Sequence, residues 1–587
     1  MTRNLWIQVL RGVSVVSVVL FHLSPNRFHY GYLGVDSFFV ISGFLMQSIY
    51  GDIRKPNQIL KFWKKRAARL FPAYFCVVGL TYIAGLLILL PHEKSVLIQH
   101  IRWSEFFLPN IGYWTDSQYW GSQEFRPLLN LWSLGVEIQF YFLFPFIIKY
   151  FYRLRLIAIL TLISFFSYIM VYEISEKTAF FLTPFRIWEF CLGIATAILL
   201  KGHLELFIKW SKIMGITCIL ISGSLIAMGP FDPRFMTLLI ALLTALSMNT
   251  NLKGETLTKI LKPLIWVGDR SYSIYLIHFP LLAFLLYEPF QSNSSPNFNN
   301  RILILIAYIF LLLTLSNLSY KFVENGVRKS KVFKLATPLI LILLIFSSFL
   351  DLSRINFSHY SDRQVNASLA VLDYAPYRCG KTFRLTHPFS NFCPLAAHKS
   401  QKENVLLIGD SHADMFKAPL MDIARSSNVG FWLWAHNESI HASNFEKIKR
   451  ILNSKFFTKV IVTSNAGGTD LDLLERLIKS SPQKFSYINP IPIYGDSIPE
   501  VVFESADSIP QSLTQSRVQF LDSHREELSK LKEIELNSGL QILDLTNNLC
   551  PRMCLLVHDG KPIYSDNNHL TQNTVRRLRH RLSEIMG

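Results

Sequence analysis

Two short segments near the end of the chain contain the residue types of a serine nucleophile and its base. The segment IGDSHADM, residues 408–415, places Ser411 between a predicted strand and a predicted helix, where a hydroxyl is exposed and backbone N–H groups face an oxyanion. The segment SDNNHL, residues 565–570, supplies Asp566 and His569 at a spacing of three residues. An aspartate that fixes the histidine tautomer lets the histidine deprotonate a serine, which predicts a serine that accepts an acyl group. The alternative is a surface turn with Asp566 as a helix cap.

Ionisable side chains also lie inside apolar runs in the first half of the chain. Burying a charged group in such a run costs free energy, so these residues often have a function. Arg11 and His22 are eleven residues apart, which in a helix returns them to nearly one face, about 16 Å apart along the axis. Arg11 is suited to the phosphate groups of an anionic donor, and His22 to general-base or acyl-carrying work. Asp36 and Glu137 lie in two further runs, where a carboxylate needs a cation or several donors.

Each of these residues has an alternative role as a packing contact between helices. The same alternative applies to four more ionisable residues in the apolar runs: Arg186, Glu189, His278 and Glu324.

The elements that position these side chains are predicted membrane helices. Of the 587 residues, 50% are hydrophobic and 17% charged, which excludes a fully soluble protein, and the 14% of aromatic residues excludes a disordered one. Stretches of about 20 apolar residues predict transmembrane helices. We count eleven, at residues 5–23, 32–50, 71–90, 131–149, 155–172, 180–200, 207–228, 234–248, 264–287, 302–321 and 335–350.

The net charge of +18 is distributed so that it orients these helices. The connection over residues 51–70 carries seven basic residues against one acid, and basic connections remain on the cytoplasmic side. Alternation from there puts the N-terminus in the cytoplasm and everything after residue 351 outside. The first helix is predicted to be a retained anchor, because no small-residue cleavage site follows it. The positive charge therefore requires no nucleic-acid partner.

After residue 351 the pattern changes to that of an α/β domain with a parallel sheet. Buried strands are predicted at 405–409, 459–465, 485–493 and 540–545, and helices at 412–426, 467–480 and 571–586. Cysteines support an oxidising compartment for this part, because Cys379 with Cys393 and Cys550 with Cys554 form two near pairs that favour disulfides. A zinc site at these cysteines is the alternative.

The polar residues of the apolar half form an ordered series that resembles the acyltransferase family 3 membrane proteins. The series comprises Arg11 and His22 in the first span, GVDSFFVISGF at 34–44, Arg66 and Arg69 before Pro72, LWSLGVEIQFY at 131–141 and SYSIYLIH at 271–278. It covers roughly residues 3–330. The chain departs from the family pattern where ENGVR, residues 324–328, lacks a proline after Glu324.

This resemblance implies O-acylation, commonly O-acetylation, of cell-surface glycans from a cytoplasmic acyl-coenzyme A donor. It implies that Arg11 and His22 are the essential pair, that Arg66 and Arg69 are donor-side cations and that Glu137 is a supporting residue. Asp36 is a second expected supporting residue.

The exported part, over about 401–587, resembles an SGNH-type esterase or acyltransferase domain. Ser411, Asp566 and His569 would then be its catalytic residues, and Asn465, after the strand KVIVTS, its oxyanion-hole asparagine. The oxyanion glycine of that family is not assigned.

These expectations combine into a polytopic α-helical membrane domain of about eleven spans fused to an exported α/β SGNH-hydrolase-like domain. The predicted boundaries are 1–333 for the acyltransferase family 3 domain, 334–351 for an additional transmembrane helix, 352–400 for a linker and 401–587 for the SGNH domain.

The predicted function is transfer of an acyl group, most simply acetyl, from a cytoplasmic acyl-CoA to a hydroxyl of a surface glycan such as the lipopolysaccharide O-antigen. The expected partners are acyl-CoA as donor substrate, a surface or lipid-linked glycan and membrane lipid, with no bound cofactor or metal. The expected location is the bacterial cytoplasmic membrane with a periplasmic C-terminal domain. The alternatives are an acyl or lipid-linked glycan transporter fused to an exported esterase, and a receptor-like protein whose tail only binds glycans.

Overall fold

The computed structural model divides the chain into two compact units, Met1–Leu89 with Glu93–Ser358, and Leu90–His92 with His359–Gly587. The residues that it describes are 4–53, 55–116, 125–151, 153–201, 231–248, 250, 255–290, 302–326, 341–345, 350, 360–376, 378–380, 383, 386–387, 390–396, 403–505 and 514–586.

The described residues of the first unit form helices joined by turns and loops, without a β-strand. Its α-helices are α1 (Leu5–Leu23), α2 (Gly34–Tyr50), α3 (Pro56–Ile88), α4 (Pro91–Glu105), α5 (Pro109–Thr115), α6 (Leu131–Tyr150), α7 (Leu154–Ile174), α8 (Glu176–Phe181), α9 (Ile187–Lys201), α10 (Pro233–Ser247), α11 (Glu255–Ile260), α12 (Lys262–Asp269), α13 (Ser271–Leu285) and α14 (Ile302–Leu318). Short 3₁₀ turns occur at Gly31–Leu33 and Thr183–Phe185, and a π-helical turn, Ser319–Glu324, extends α14.

Six helical segments among the described residues are long and apolar enough to cross a membrane: Leu5–Leu23, Gly31–Tyr50, Pro56–Ile88, Leu131–Tyr150, Leu154–Ile174 and Ile302–Glu324. Three shorter apolar helices, Ile187–Leu200, Pro233–Ser247 and Ser271–Leu285, correspond to other predicted spans. The predicted span 207–228 and most of 335–350 lie outside the described residues. The total of eleven spans therefore stays a prediction.

Two predictions for this unit are wrong in detail. The basic segment 51–70 is not a loop, because α3 begins at Pro56 and runs through it. Most of its charged residues therefore lie on the first turns of the helix that continues into the predicted span 71–90. The predicted span 180–200 is interrupted, since Pro184 lies in the 3₁₀ turn between α8 and α9, and proline removes a backbone donor.

Helices α2 and α9 approach closely because each has a glycine at the contact. A Cβ on Gly43 would lie 2.0 Å from the carbonyl oxygen of Phe190, and a Cβ on Gly193 would lie 2.1 Å from that of Val40. Any side chain at either position would therefore push the two helices apart. This contact holds together the two helices on which Asp36 and Glu189 lie.

The second unit contains a six-stranded sheet in the order β1-β3-β2-β4-β5-β6. Its strands are β1 (Phe392–Ala396), β2 (Asn404–Gly409), β3 (Gly430–Trp434), β4 (Lys459–Thr463), β5 (Lys484–Ile488) and β6 (Gln541–Leu543), and a separate hairpin joins β7 (Val557–His558) to β8 (Lys561–Pro562). Its helices are α15 (Asp362–Leu372), α16 (Ser411–Ser426), α17 (Phe445–Asn453), α18 (Leu471–Lys479), α19 (Ile498–Glu504), α20 (Arg517–Ser523), α21 (Arg525–Ser538), α22 (Thr546–Leu549), α23 (Gln572–Arg577) and α24 (Arg579–Ser583).

The sheet is buried on both faces, as the continuous apolar strands predict. In β2, Val405 and Leu407 belong to one hydrophobic core, whereas Leu406 and Ile408 belong to another. Alternate side chains of a strand point to opposite faces, so the sheet is the middle of three layers.

The prediction of a purely parallel sheet is wrong at one edge. Strand β1 pairs with β3 in the antiparallel direction, whereas β3, β2, β4, β5 and β6 are mutually parallel. Neither β1 nor β3 was predicted as a strand. Pro394 within β1 argues against a strand in the sequence, because proline is tolerated in a sheet only at an edge or bulge, and β1 lies at that edge with an irregular register beside Pro394.

Both predicted disulfides are confirmed: Cys379 pairs with Cys393, and Cys550 with Cys554. Cys76 and Cys191 are free thiols in the first unit, and Cys218 lies outside the described residues.

Candidate active site

Ser411 lies at a sharp turn between β2 and α16, at the carboxyl edge of the parallel strands. Asp410 precedes it as the helix cap, and its Oδ1 accepts a hydrogen bond from the His412 N–H at 2.8 Å. A Cβ on Gly409 would lie 1.8 Å from the carbonyl oxygen of Thr463, so only glycine lets β2 approach β4 this closely at the turn. The end of β2 and the start of α16 thus fix the backbone of Ser411 at the carboxyl end of the parallel strands.

The structure brings Ser411, His569 and Asp566 into one hydrogen-bonded chain. The Ser411 Oγ lies 2.8 Å from His569 Nε2, and His569 Nδ1 lies 2.7 Å from Asp566 Oδ2. The carboxylate accepts from Nδ1–H, which leaves Nε2 as the acceptor for the serine proton. The roles of these residues as catalytic groups stay predictions, but the geometry is that of a nucleophile, a base and an orienting acid.

Asp566 is held in its ionised form. Burial by itself raises its pKa, but hydrogen bonds from the His569 ring and from the backbone N–H groups of Asn568 and His569 outweigh burial and leave the pKa below its usual range. The two backbone bonds, at 2.9 and 2.7 Å, reach Oδ1. Asp566 is therefore negative at neutral pH and stabilises the imidazolium that forms when His569 takes a proton.

Asn465, which the sequence predicts as the oxyanion-hole residue, lies beside this turn. Its backbone N–H donates to Asp410 Oδ2 at 2.8 Å, and its Oδ1 accepts from the Ala466 N–H at 2.9 Å. Within the described part of the chain its Nδ2 has no hydrogen-bond partner. The side-chain NH₂ group can therefore donate to a bound oxyanion. The sequence contained no signal for the Asp410 contact, which ties the asparagine loop to the serine turn.

His412, next to the nucleophile, is buried in the folded protein and should make this domain sensitive to acid. Burial lowers the pKa of His412 to about 4, the nearby Asp410 and Asp566 raise it, and His569 lowers it. The unfolded chain binds a proton at this residue near its ordinary pKa of 6.5, so stability falls as pH decreases from about 6.5 to about 4, by about 3 kcal/mol in all.

We expect this part of the acid sensitivity to be lost in His412→Gln, measured as the difference between the unfolding midpoints at pH 7 and pH 5. The exposed His580→Gln is the control. An unchanged pH dependence in His412→Gln would contradict the assignment.

In the first unit, one cavity is lined by the predicted donor-side residues. Arg11 on α1, Arg66 and Arg69 on α3, and Glu137 on α6 all line it. Arg66 and Arg69 face the same cavity because residues three apart share a helix face. Three guanidinium groups and one carboxylate give this cavity a net positive charge, which suits a phosphate-containing ligand.

Glu137 is hydrogen-bonded inside this cavity. Its Oε1 accepts from the Ser42 hydroxyl at 2.5 Å and from the Tyr141 hydroxyl one helical turn away. Ser42 lies in the predicted segment 34–44 and Tyr141 in the predicted segment 131–141, so two of the sequence motifs meet at this carboxylate.

His22 lies on the same helix as Arg11 but is not among the residues that line the cavity. Its Nδ1 is 2.9 Å from the carbonyl oxygen of Val18 and 3.3 Å from His278 Nε2. His278 Nδ1 lies 2.7 Å from the carbonyl oxygen of Tyr275, so Nδ1 carries the hydrogen in both rings. In the neutral form of His22, Nε2 then carries no hydrogen and can act as a base or nucleophile.

Asp36 is buried in an ion pair and is not among the residues that line the cavity, so its role as a supporting residue stays a prediction. Arg186 donates to Asp36 Oδ1 at 2.5 Å and its other terminal nitrogen lies 3.4 Å from Glu189. All three side chains are at most 3% exposed. The ion pair joins α2 to the start of α9. This is the packing role between helices that the sequence offered as the alternative for Asp36.

Loss of this buried cation should destabilise the helical unit. We expect Arg186→Met to lower stability by about 3–5 kcal/mol, because it leaves two carboxylates buried without their cation. Asp36→Asn should cost less, since Glu189 still faces Arg186. The measurement is the thermal unfolding midpoint of the detergent-solubilised chain, with Glu173→Gln, at an exposed ion pair, as the control. Equal midpoints for Arg186→Met and Glu173→Gln would contradict this role.

Comparison with known proteins agrees with both units. Residues 4–321 match the acyltransferase domain family, and residues 378–584 match the SGNH domain found fused to AT3 domains. The chain is 30% identical over 392 residues to the O-acetyltransferase OatA of Staphylococcus aureus strain MRSA252, and equally to that of strain NCTC 8325 / PS 47. Each alignment covers 59% of this chain and 62% of the relative.

The chain thus spans about three fifths of the length of the curated relatives that it matches. No solved structure matches it. The first of the two family matches covers more than half of the chain, and the second covers the serine turn, the asparagine loop and the C-terminal Asp566 and His569. The chain therefore belongs to the acyltransferase family 3 membrane proteins that carry a fused SGNH domain.

Proposed function

We propose that this protein is a membrane O-acetyltransferase that takes an acyl group from a cytoplasmic acyl-CoA and delivers it, through Ser411, to a hydroxyl of a cell-surface glycan. The observation that carries the proposal is the chain of contacts from Ser411 through His569 to Asp566, at 2.8 and 2.7 Å, in a member of this family. The name of the relatives, O-acetyltransferase, supports acetyl as the group transferred.

The chemistry at Ser411 consists of two acyl transfers. In the first, Ser411 Oγ attacks the acyl carbonyl while His569 Nε2 takes the hydroxyl proton, and the leaving group departs with that proton. The developing oxyanion accepts from the Asn465 amide and from the backbone N–H of Ser411, because the next two N–H groups of α16 already donate to Asp410. In the second, His569 removes the proton of a sugar hydroxyl, and the sugar oxygen attacks the carbonyl of the acyl-serine. The bond from the acyl carbon to Ser411 Oγ then breaks, and His569 returns the proton to Oγ.

The donor side of the proposal rests on the positive cavity of the first unit. Arg11, Arg66 and Arg69 line it, and guanidinium groups bind phosphate with directional hydrogen bonds. A coenzyme A thioester supplies such phosphates. His22, with Nδ1 occupied by Val18 and His278, would act on the acyl group through its unprotonated Nε2.

We place the first unit in the bacterial cytoplasmic membrane with eleven spans, its N-terminus inside and its C-terminal domain outside. The seven basic residues against one acidic residue in the segment 51–70 support this orientation. The two disulfides of the second unit support an oxidising compartment for that unit.

The deciding experiment is mass spectrometry of surface polysaccharide from cells with and without this protein. An acetyl ester present only in its presence supports the proposal and identifies the acceptor sugar. Identical polysaccharides in both cells, with the chain present in the membrane, would contradict it. A lipid-linked glycan transporter would change how much glycan reaches the surface without changing its acetylation.

A further inference from the structure

Arg378 is buried beside the nucleophile turn, at a place to which no role has been assigned. Its side chain is 0% exposed. One terminal nitrogen, Nη2, donates to the carbonyl oxygen of Gly409 at 2.7 Å and to Asn437 Oδ1 at 2.5 Å. Its backbone N–H donates to Asp414 Oδ1 at 3.0 Å, and its Nε lies 3.5 Å from Asp414 Oδ2.

These contacts lie on both sides of Ser411. Gly409 is two residues before it, at the end of β2, and Asp414 is three residues after it, in the first turn of α16. The guanidinium group and the backbone of Arg378 therefore hold the strand end and the helix start at fixed positions. The hydroxyl of Ser411 is carried between them.

The backbone of Arg378 is itself strained and firmly held. Its φ is +43°, in the left-handed region that costs a non-glycine residue free energy and persists only where the surroundings enforce it. Its carbonyl oxygen accepts from Lys417 Nζ at 2.9 Å. The next residue, Cys379, is bonded to Cys393 in β1. The disulfide thus anchors Arg378 to the edge of the sheet.

We propose that Arg378 is a positioning residue for Ser411, anchored by the Cys379–Cys393 disulfide, and that its contacts with Gly409 and Asp414 keep the serine hydroxyl aligned with His569. The inference rests on the proposed use of Ser411 as the nucleophile. Arg378 lies outside the segments that contain Ser411, Asn465 and His569. The inference therefore adds a residue to those that make this serine reactive.

The test is the rate at which a fluorophosphonate probe labels Ser411 in the full-length chain in detergent, together with the fraction labelled at completion. Arg378→Lys keeps the positive charge but loses the planar fork, so we expect the rate to fall roughly 10- to 100-fold while the completed fraction stays unchanged. The exposed Arg425→Lys, on the same helix as Ser411, should label at the rate of the unchanged chain.

A second variant covers the case in which Arg378→Lys does not fold. Asn437 is exposed and supplies only one acceptor to the guanidinium group, so Asn437→Ala should retain the unfolding midpoint and still lower the labelling rate, by about 3-fold. The double variant Cys379→Ser with Cys393→Ser should lower it by about 10-fold or less.

If Arg378 only stabilises the fold, its substitution should lower the fraction labelled at completion or the unfolding midpoint, while the folded molecules are labelled at an unchanged rate. This result would overturn the inference. Unchanged rates in both Arg378→Lys and Asn437→Ala would also overturn it. Because labelling needs neither donor nor glycan, these results remain interpretable if glycan acetylation itself is not found.

Discussion

Ser411→Ala should abolish glycan O-acetylation, with a loss of roughly 10⁴-fold or more in the rate of acyl transfer. In the proposed mechanism the serine Oγ bonds the acyl carbon and His569 takes its proton; the two atoms lie 2.8 Å apart. Alanine leaves the oxyanion donors and the base in place but removes the bond-forming atom. The measurement is the content of acetyl esters in surface polysaccharide, per molecule of protein in the membrane.

The matched control is Ser427→Ala, at the exposed end of the same helix, which should leave the ester content unchanged. Normal acetylation by Ser411→Ala would remove the serine step and leave the helical unit as the only site of transfer. In that case Asn465 and His569 would also be dispensable, which their single variants would reveal.

His22→Gln should prevent acetyl from reaching Ser411, with a loss of roughly 10²- to 10⁴-fold in the rate of acyl-serine formation. Glutamine keeps an amide near the Val18 carbonyl but has no basic nitrogen in place of Nε2. Membranes incubated with radiolabelled acetyl-CoA, without acceptor glycan, should contain acetyl-Ser411 in the unchanged chain and little in the variant. The label is located by proteolysis and mass spectrometry.

The exposed His29→Gln is the control for this experiment and should acquire label normally. A transporter would need His22 only as a polar contact, so equal labelling of His22→Gln and the unchanged chain would favour that reading. Labelling of Ser411→Ala at another residue would show that a different nucleophile takes the acyl group.

Several features of the second unit could be predicted from local sequence. A strand, a Gly-Asp-Ser turn and a helix follow one another within about twenty residues, and Asp566 and His569 are three residues apart, so local geometry alone brings each group close to its neighbours. The two disulfides were also predictable, because each joins cysteines close in sequence, 14 and 4 residues apart.

The membrane unit was predictable in its helices but less so in its pairings. Apolar length indicated α1, α2, α6 and α7 nearly to the residue, because a bilayer requires an apolar run of that length. The partner of Asp36 was not predictable, since Arg186 lies 150 residues away and several cations were equally possible.

The sequence by itself determined which residues have reactive groups, and that one half of the chain is a helical, membrane-type unit. Only the tertiary structure decided that Ser411 and His569, 158 residues apart, meet at hydrogen-bond distance, that Asp36 belongs to a buried ion pair and that Arg378 holds the serine turn. The physical reason is range. Periodicity and capping act over a few residues, whereas these contacts depend on how a mixed sheet and closely packed helices bring distant segments together.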